Sequence, residues 1–397
     1  MAVELAEQRL GDVRWIVLRG PAQEAFGSLG EHMRTEISEV VTGWEPLDKL
    51  RSHVAEPAGG GRLAAVRRAS EADFPDVWAE LAALAGGANV PLADLALLNF
   101  RGDLGDLGDT GTAGGERADG SHGADGGCSD LAWRRERSFI AHNEDDSGFY
   151  EGRSALLTLM LDDLQPVTAF WKAGFLPSNA FTVTGTGMVW SLDSLTAEPP
   201  GQGAGRHVVA RKLQQIAVMA GQAVEYLRQH PSAGGFSYTI GDSTGRVVVV
   251  ESSAGQHGWR EAGGQEPLLW HTNHGRYITG ADAGGPHDSS LTRGEVLGAL
   301  EVPSGEPDAD WFARALAGAP EPDGVRVDPS EGNDTATLCT FVVNLTDGEA
   351  TVLHRGSAPA TIPLGDLAHG RSGRVTVAPS LGSREADSDA NLTVTPG

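Results

Sequence analysis

Two cysteines in 397 residues exclude a disulfide framework, and nothing has the Cys/His density of a structural zinc module. Lysine is nearly missing as well, with Lys49, Lys172 and Lys212 as the whole supply. Thirty Lys and Arg face 54 Asp and Glu, for a formal charge of −24. Phosphate binding needs a basic face, so a nucleic-acid partner is not expected. No apolar run approaches the ~20 residues of a spanning helix. The first residues, Met1-Ala-Val-Glu-Leu-Ala-Glu, show no basic stretch followed by an apolar one. The expectation is a cytoplasmic protein with no membrane partner. With 40% hydrophobic and 21% charged residues, the chain is globular and long enough for its own core.

Periodicity divides the chain in two. Trp15–Leu18 reads as a strand, and Ala22–Val41 as one amphipathic helix with Phe26, Leu29, Met33 and Ile37 on its apolar stripe. Phe74–Ala85 is a second helix, ending at Gly86-Gly87, and Pro91 opens a third. Residues 102–127 are Gly/Asp-rich and almost without apolar side chains, which predicts a long mobile loop. Strand patterns follow: 138–141, 156–160, 167–170, a pair within 181–191, and hairpins around Asp242–Gly245 and Asp347-Gly348. A helix is expected over 207–229, and a capping box at Thr292–Glu295 should open a short helix. From about 371 to 397 the tail is Ser, Gly, Asp and Thr rich, and disorder is expected. Helices followed by antiparallel strand pairs indicate an α+β architecture.

Chemistry points to Gly126-Gly127-Cys128-Ser129, where the loop ends. Glycine before a thiol removes side-chain obstruction around the preceding carbonyl and admits strained torsions. An attack of the Cys128 sulfur on the Gly127 carbonyl needs both. Downstream lie Asn143-Glu-Asp145 and His271-Thr-Asn-His274. His271 and His274, three apart on a strand or turn without an obvious third ligand, do not make a metal site, and no cofactor is expected.

These motifs, with Asn99-Phe-Arg101 before the cysteine and Ser289-Ser290, Arg293 and Ala336-Thr-Leu338 after it, resemble the penicillin acyltransferase family of N-terminal-nucleophile cysteine hydrolases. The resemblance implies a four-layer αββα sandwich of two antiparallel sheets between helical layers. It also implies self-cleavage at Gly127–Cys128. An α chain, 1–127, would stay associated with a β chain, 128–370, ahead of the 371–397 tail. Cys128 would then act on linear amide bonds through a thioester, with its own α-amine as base. Asp145 would orient the amine and thiol, and Asn273 would stabilise the oxyanion. Ser129, Asn143, His271 and His274 would support the site. Ser129 stands where the family has Thr, Asp193 where it has Asn, and Asp334 where the penicillin enzyme has Arg. The two acids suggest a small-molecule amide or acyl donor that carries an amine. Two other readings remain open: an uncleaved hydrolase pairing Cys128 with His142 or His274, and a catalytically degenerate small-molecule-binding homologue.

Overall fold

Residues 2–105, 127–178, 180–195, 201–278 and 288–378 are described by the computed structural model. The chain opens on a hairpin, β1 (Glu4–Leu10) and β2 (Val13–Gly20), whose two-residue turn uses Gly11 at φ 57°. Six helices follow: α1 (Ala22–His32), α2 (Arg34–Gly43), α3 (Glu45–Ala55), α4 (Pro57–Asp73), α5 (Pro75–Ala88) and α6 (Leu92–Asn99). After the Cys128 region come β3 (Ser129–Arg134), β4 (Ser138–Ser147), β5 (Ser154–Leu161), β6 (Val167–Lys172), β7 (Phe181–Thr184) and β8 (Val189–Leu195). Helices α7 (Arg206–Ile216) and α8 (Ala220–Gln229) lead to β9 (Gly235–Gly241), β10 (Val247–Ser253), β11 (Gln256–Glu261) and β12 (Leu268–His271). The chain continues with α9 (Asp288–Gly298), α10 (Ala309–Ala317), β13 (Thr335–Asn344), β14 (Glu349–His354), β15 (Ala360–Pro363), α11 (Leu364–Ala368) and β16 (Thr376–Val377).

The strands form two sheets. One runs β1-β2-β5-β6-β7-β8-β9-β10-β11 and the other β12-β3-β4-β13-β14-β15-β16. Every neighbouring pair is antiparallel except β2–β5, which is parallel. β4 lies against β8 and β9, so the sheets pack face to face. Phe181 of the larger sheet stacks on Phe341 of the smaller, ring centroids 3.6 Å apart. Helices α1 and α8 cover the outside of the larger sheet, and α9 and α10 the outside of the smaller. The layer order is therefore αββα, as expected, with one parallel pair inside it.

Several local expectations change. The 22–41 helix divides at Met33, and the 207–229 helix at Ala217–Met219. Gly86-Gly87 does not end α5, which continues to Ala88 and is capped by Asn89 at φ 58°. Gly87 serves helix contact instead: a methyl on it would stand 2.8 Å from the Gly27 carbonyl carbon of α1, while Gly86 is exposed. Thr292 lies inside α9, its hydroxyl bonded to Asp288 O, so it opens no helix. The expected loop does not begin at Gly102. Asp103 is fully buried and accepts from the Arg206 and Gly234 amides at 2.9 and 2.7 Å. Residues 106–126 lie outside the described residues. At the other end Thr376–Val377 pairs with β15, so order extends past 371, while 379–397 lie outside the described residues.

Candidate active site

Strand register builds the site. Asp130 of β3 pairs with His142 of β4 on one side and His271 of β12 on the other. Side chains directly opposite in neighbouring strands share a face. The three therefore stand in a row between the sheets, where Asp193 of β8 and Glu251 of β10 meet them. His142 Nδ1 lies 2.7 Å from Asp130 and 3.9 Å from Asp193, with its Nε2 3.3 Å from Glu144. His271 bridges Asp193 at 3.0 Å and Glu251 at 2.9 Å. Burial alone would lower both imidazoles. The facing carboxylates overcome it, Asp130 first at His142 and Asp193 first at His271, holding His142 well above its ordinary range and His271 up at about 9. Burial, with Asp130 adding, raises Asp193 to about 6.

Cys128 immediately precedes β3. Its sulfur lies 3.6 Å from Glu144 Oε2 and 3.8 Å from the Asp145 carbonyl oxygen. Burial, then the Glu144 charge, pushes the thiol far up. Glu144 itself overcomes burial through Lys172, 2.6 Å away, and His142, and is lowered to about 2. Lys172 also pairs with Asp146, which faces Arg101 at 3.6 Å. Asp145 differs. Neither carboxylate oxygen makes a well-formed hydrogen bond among the described residues, and burial raises it to about 8 against the opposing pull of Arg293 and the Thr337 hydroxyl.

Asn273 reaches back to the glycine before the nucleophile. A methyl on Gly127 would stand 2.7 Å from Asn273 Cγ and closer still to its Oδ1. Three bonds fix that side chain and its backbone: Nδ2 to Ser194 O at 3.1 Å, Oδ1 from Arg293 at 2.8 Å, and N–H to Ser290 Oγ at 2.9 Å. Arg293, fully buried, also donates to the Cys128 carbonyl at 2.6 Å and to Ser129 Oγ at 2.9 Å.

The structure thus brings Cys128, Asp145 and Asn273 to one cavity of about 540 Å³ including its open mouth, together with Arg101, Arg206 and Phe236. Ser129 and His271 stand behind it as supports. His274 is held by Ser290 Oγ at 2.9 Å and lowered to about 4 by burial and the charge of His271. Asn143 points elsewhere. Its amide bonds Leu316 O of α10 and accepts from Thr340, each at 2.7 Å, which pins α10 to the sheet. Asp193 is buried against His271 and does not line the cavity. Asp334 is exposed near the mouth and accepts from Ser147 Oγ at 2.6 Å.

Sequence reasoning gave Glu144 and Lys172 no part in the site. A lysine closing the apolar strand Val167–Trp171, in a chain with three lysines, was the available signal. Two further sets of ligand-type atoms converge on buried positions: Cys128, His142 and Glu144, and Asp130, His142 and Asp193. Hydrogen bonds and opposite charges among the residues themselves account for both sets. No helix among the described residues is long and apolar enough to cross a membrane.

The model of the acyl-coenzyme A:6-aminopenicillanic acid acyl-transferase family matches residues 133–355, more than half of the chain and beginning just after Cys128. Among curated sequences no match is found. Among solved structures the chain is similar to a mutant of the conjugated bile acid hydrolase from Clostridium perfringens, with 10% identity, TM-score 0.39, and 64% of this chain and 96% of that one covered. It is also similar to penicillin V acylase from Agrobacterium tumefaciens, with 12% identity, TM-score 0.36, and 63% and 90% covered.

Proposed function

The chain belongs to the acyl-coenzyme A:6-aminopenicillanic acid acyl-transferase family, and from that premise we propose a self-cleaving N-terminal-nucleophile amidohydrolase or acyltransferase whose acyl carrier is Cys128. In the precursor the Cys128 sulfur attacks the Gly127 carbonyl carbon. The Cys128 nitrogen gains a proton and leaves, giving a thioester and a free α-amine. Water then releases the first chain with a carboxylate at Gly127. That chain, 1–127, stays bound because its strands and helices belong to the same layers as the second, 128–370. The new α-amine, with an ordinary pKa of ~7.7–8.0, takes the thiol proton in later turnovers. The sulfur then attacks a small-molecule amide, the amine part departs, and water or an acceptor amine resolves the thioester.

One observation carries this reading. Asp145 is a buried carboxylate in the cavity beside Cys128 whose oxygens make no well-formed hydrogen bond among the described residues, with only the Thr337 hydroxyl and the Arg293 charge nearby to oppose its burial. A buried acid left unpaired is unfavourable, and such groups call for an explanation. Cleavage at Gly127–Cys128 would create an ammonium on Cys128, which lines the same cavity as that carboxylate, and would supply a partner for it. Two neighbours fit the same reading. Asn273, packed on Gly127, would donate its side-chain amide to the oxyanion, and Arg293 bonds the Cys128 carbonyl. One such oxyanion donor is typically worth roughly 2.7–4 kcal/mol of barrier.

In the uncleaved Cys–His alternative, His142, which also stands beside the thiol, is held by Asp130 and Glu144 above its ordinary range and would serve as the cation of a pair rather than as a free base. Intact mass and a denaturing gel test the proposal. Two chains breaking at Gly127/Cys128 are expected, and Cys128→Ala should leave one. A single wild-type chain with reactive Cys128 would favour the uncleaved hydrolase. A single unreactive chain would favour a binding homologue. Clean cleavage persisting in Cys128→Ala would refute the mechanism.

A further inference from the structure

We propose that the cavity beside Cys128 ends in an anion subsite formed by Arg101 and Arg206, and that its acyl substrate carries a terminal carboxylate on a short apolar stem. This rests on reading Cys128 as the acyl carrier. Both arginines are buried, at 8% and 4% exposure, and both line the cavity. Arg101 Nε and Nη1 and Arg206 Nε have no hydrogen-bond partner among the described residues. A guanidinium is a permanent cation with its donors in a fixed fork, so these N–H groups await an acceptor.

The charge around them is partly answered, by Asp146 at Arg101 and by Asp103 near Arg206, so what the two guanidiniums lack is acceptors for these N–H groups. Arg101 reaches Asp146 only at 3.6 Å, and Lys172 already holds that carboxylate. Arg206 Nη1 donates to neutral acceptors, Ser194 Oγ and Gly235 O, each at 2.8 Å. The nearby Asp103 spends one oxygen on two backbone amides, and burial raises it to about 6. Aromatic faces hold both cations in place, Arg101 4.4 Å from the Phe175 centroid and Arg206 4.3 Å from that of Phe236.

Position decides which half of the substrate meets them. During self-cleavage the thioester carbon is the Gly127 carbonyl, so a substrate acyl carbon takes the same place. Gly127 abuts Asn273, Asn273 Nδ2 bonds Ser194 O, and Ser194 Oγ accepts from Arg206. Arg206 therefore lies on the acyl side of the nucleophile. Ala180, Leu192 and Phe236 line the same cavity and suit a short methylene stem. The amine-bearing acyl group expected from Asp193 and Asp334 would meet the two guanidiniums at this end of the cavity, where the lining carboxylates Glu144 and Asp146 are already held by Lys172. Asp193 is locked on His271 outside the cavity lining.

The test compares para-nitroanilides of glutaric, pentanoic and 5-aminopentanoic acids with the wild-type protein. A charge-assisted pair predicts kcat/KM for glutaryl at least about 10-fold above pentanoyl, with 5-aminopentanoyl poorest. In Arg206→Met and Arg101→Met the glutaryl-to-pentanoyl ratio should fall toward unity, and Arg206→Lys should recover part of it. Pentanoyl equal to or better than glutaryl overturns the subsite. A second readout needs neither turnover nor a folded variant: iodoacetamide alkylation of wild-type Cys128 in the presence of glutarate or pentanoate. Glutarate alone should slow it, and equal protection, or none, overturns the subsite. Protection by glutarate without hydrolysis of any anilide sinks the enzymatic reading and keeps the subsite.

Discussion

Replacing Gly127 by alanine separates self-cleavage from turnover. The new methyl would stand 2.7 Å from Asn273 Cγ, where carbon atoms pack at about 3.5 Å or more. Nearly an ångström must be found. Asn273 has little room to give it, because Ser194 O, Arg293 and the Ser290 hydroxyl hold it from three directions. Overpacking of this kind strains a site by about 1–3 kcal/mol. Misplacing a catalytic group by about 1 Å slows chemistry about 100-fold. Gly127→Ala should therefore slow cleavage about 100-fold, measured by appearance of the chain beginning at Cys128 on timed denaturing gels and by intact mass. The second chain starts at Cys128 in both proteins, so amidase activity per cleaved molecule should equal the wild type once cleavage has freed residue 127 from Cys128. Cleavage at the wild-type rate would refute the placement of Asn273 against the scissile residue. Slow cleavage with equally slow turnover per cleaved molecule would refute the confinement of the added methyl's strain to the precursor.

Asp145 makes the uncleaved chain pH-sensitive. Folding raises its pKa from 3.8 to about 8 through burial. Its contribution is therefore fully present below about pH 4 and is lost as pH rises toward about 8. In a Cys128→Ala background, Asp145→Asn should gain on the order of 2–5 kcal/mol at pH 8 and little at pH 4, read by denaturant midpoints. Identical pH profiles would contradict the buried, unpaired carboxylate. His271 has the opposite chemistry and the same sign. Raised from 6.5 to about 9, it stabilises fully below pH 6.5 and ceases to as pH climbs through about 9. His271→Gln should destabilise by about 3–5 kcal/mol at neutral pH by stranding Asp193 and Glu251, and a melting temperature unchanged at pH 7 would argue against the ion pairs. The two asparagines should part company. Asn143→Ala removes two buried bonds to α10 and Thr340 and should lower stability by about 1–3 kcal/mol. Asn273→Ala should instead cut cleavage and turnover by about 10²–10³-fold with a smaller stability change. The reverse pattern in melts and rates would exchange their roles.

Much of this was legible because it is local. Gly127-Cys128, Asn143-Glu-Asp145 and His271–His274 are contiguous runs, and each was found as such. The hairpins at 242–245 and 347–348 follow from turn chemistry. Where reading failed, tertiary contact had overruled a local rule. Gly86-Gly87 looks like a helix stop, yet the helix runs through it and Gly87 is a contact with α1. Thr292 looks like a cap and sits one turn inside α9. Asp103 begins a glycine-rich stretch yet is buried, since α7 and β9 supply the amide donors it needs.

By itself the sequence determined which atoms could react: one cysteine after glycine, an acid, an asparagine and their order along the chain. It also determined the alternation that makes two sheets. Tertiary structure decided which residues meet. Register across β12, β3 and β4 aligned His271, Asp130 and His142, and the second sheet brought Asp193 and Glu251 to them. It sent Asn143 outward to α10, withdrew Asp193 from the cavity, and left Arg101 and Arg206 with unanswered donors inside it. The reason is physical. Reactivity belongs to a residue type and its chain neighbours, whereas burial, pairing and charge balance depend on strands far apart in sequence and side by side in space.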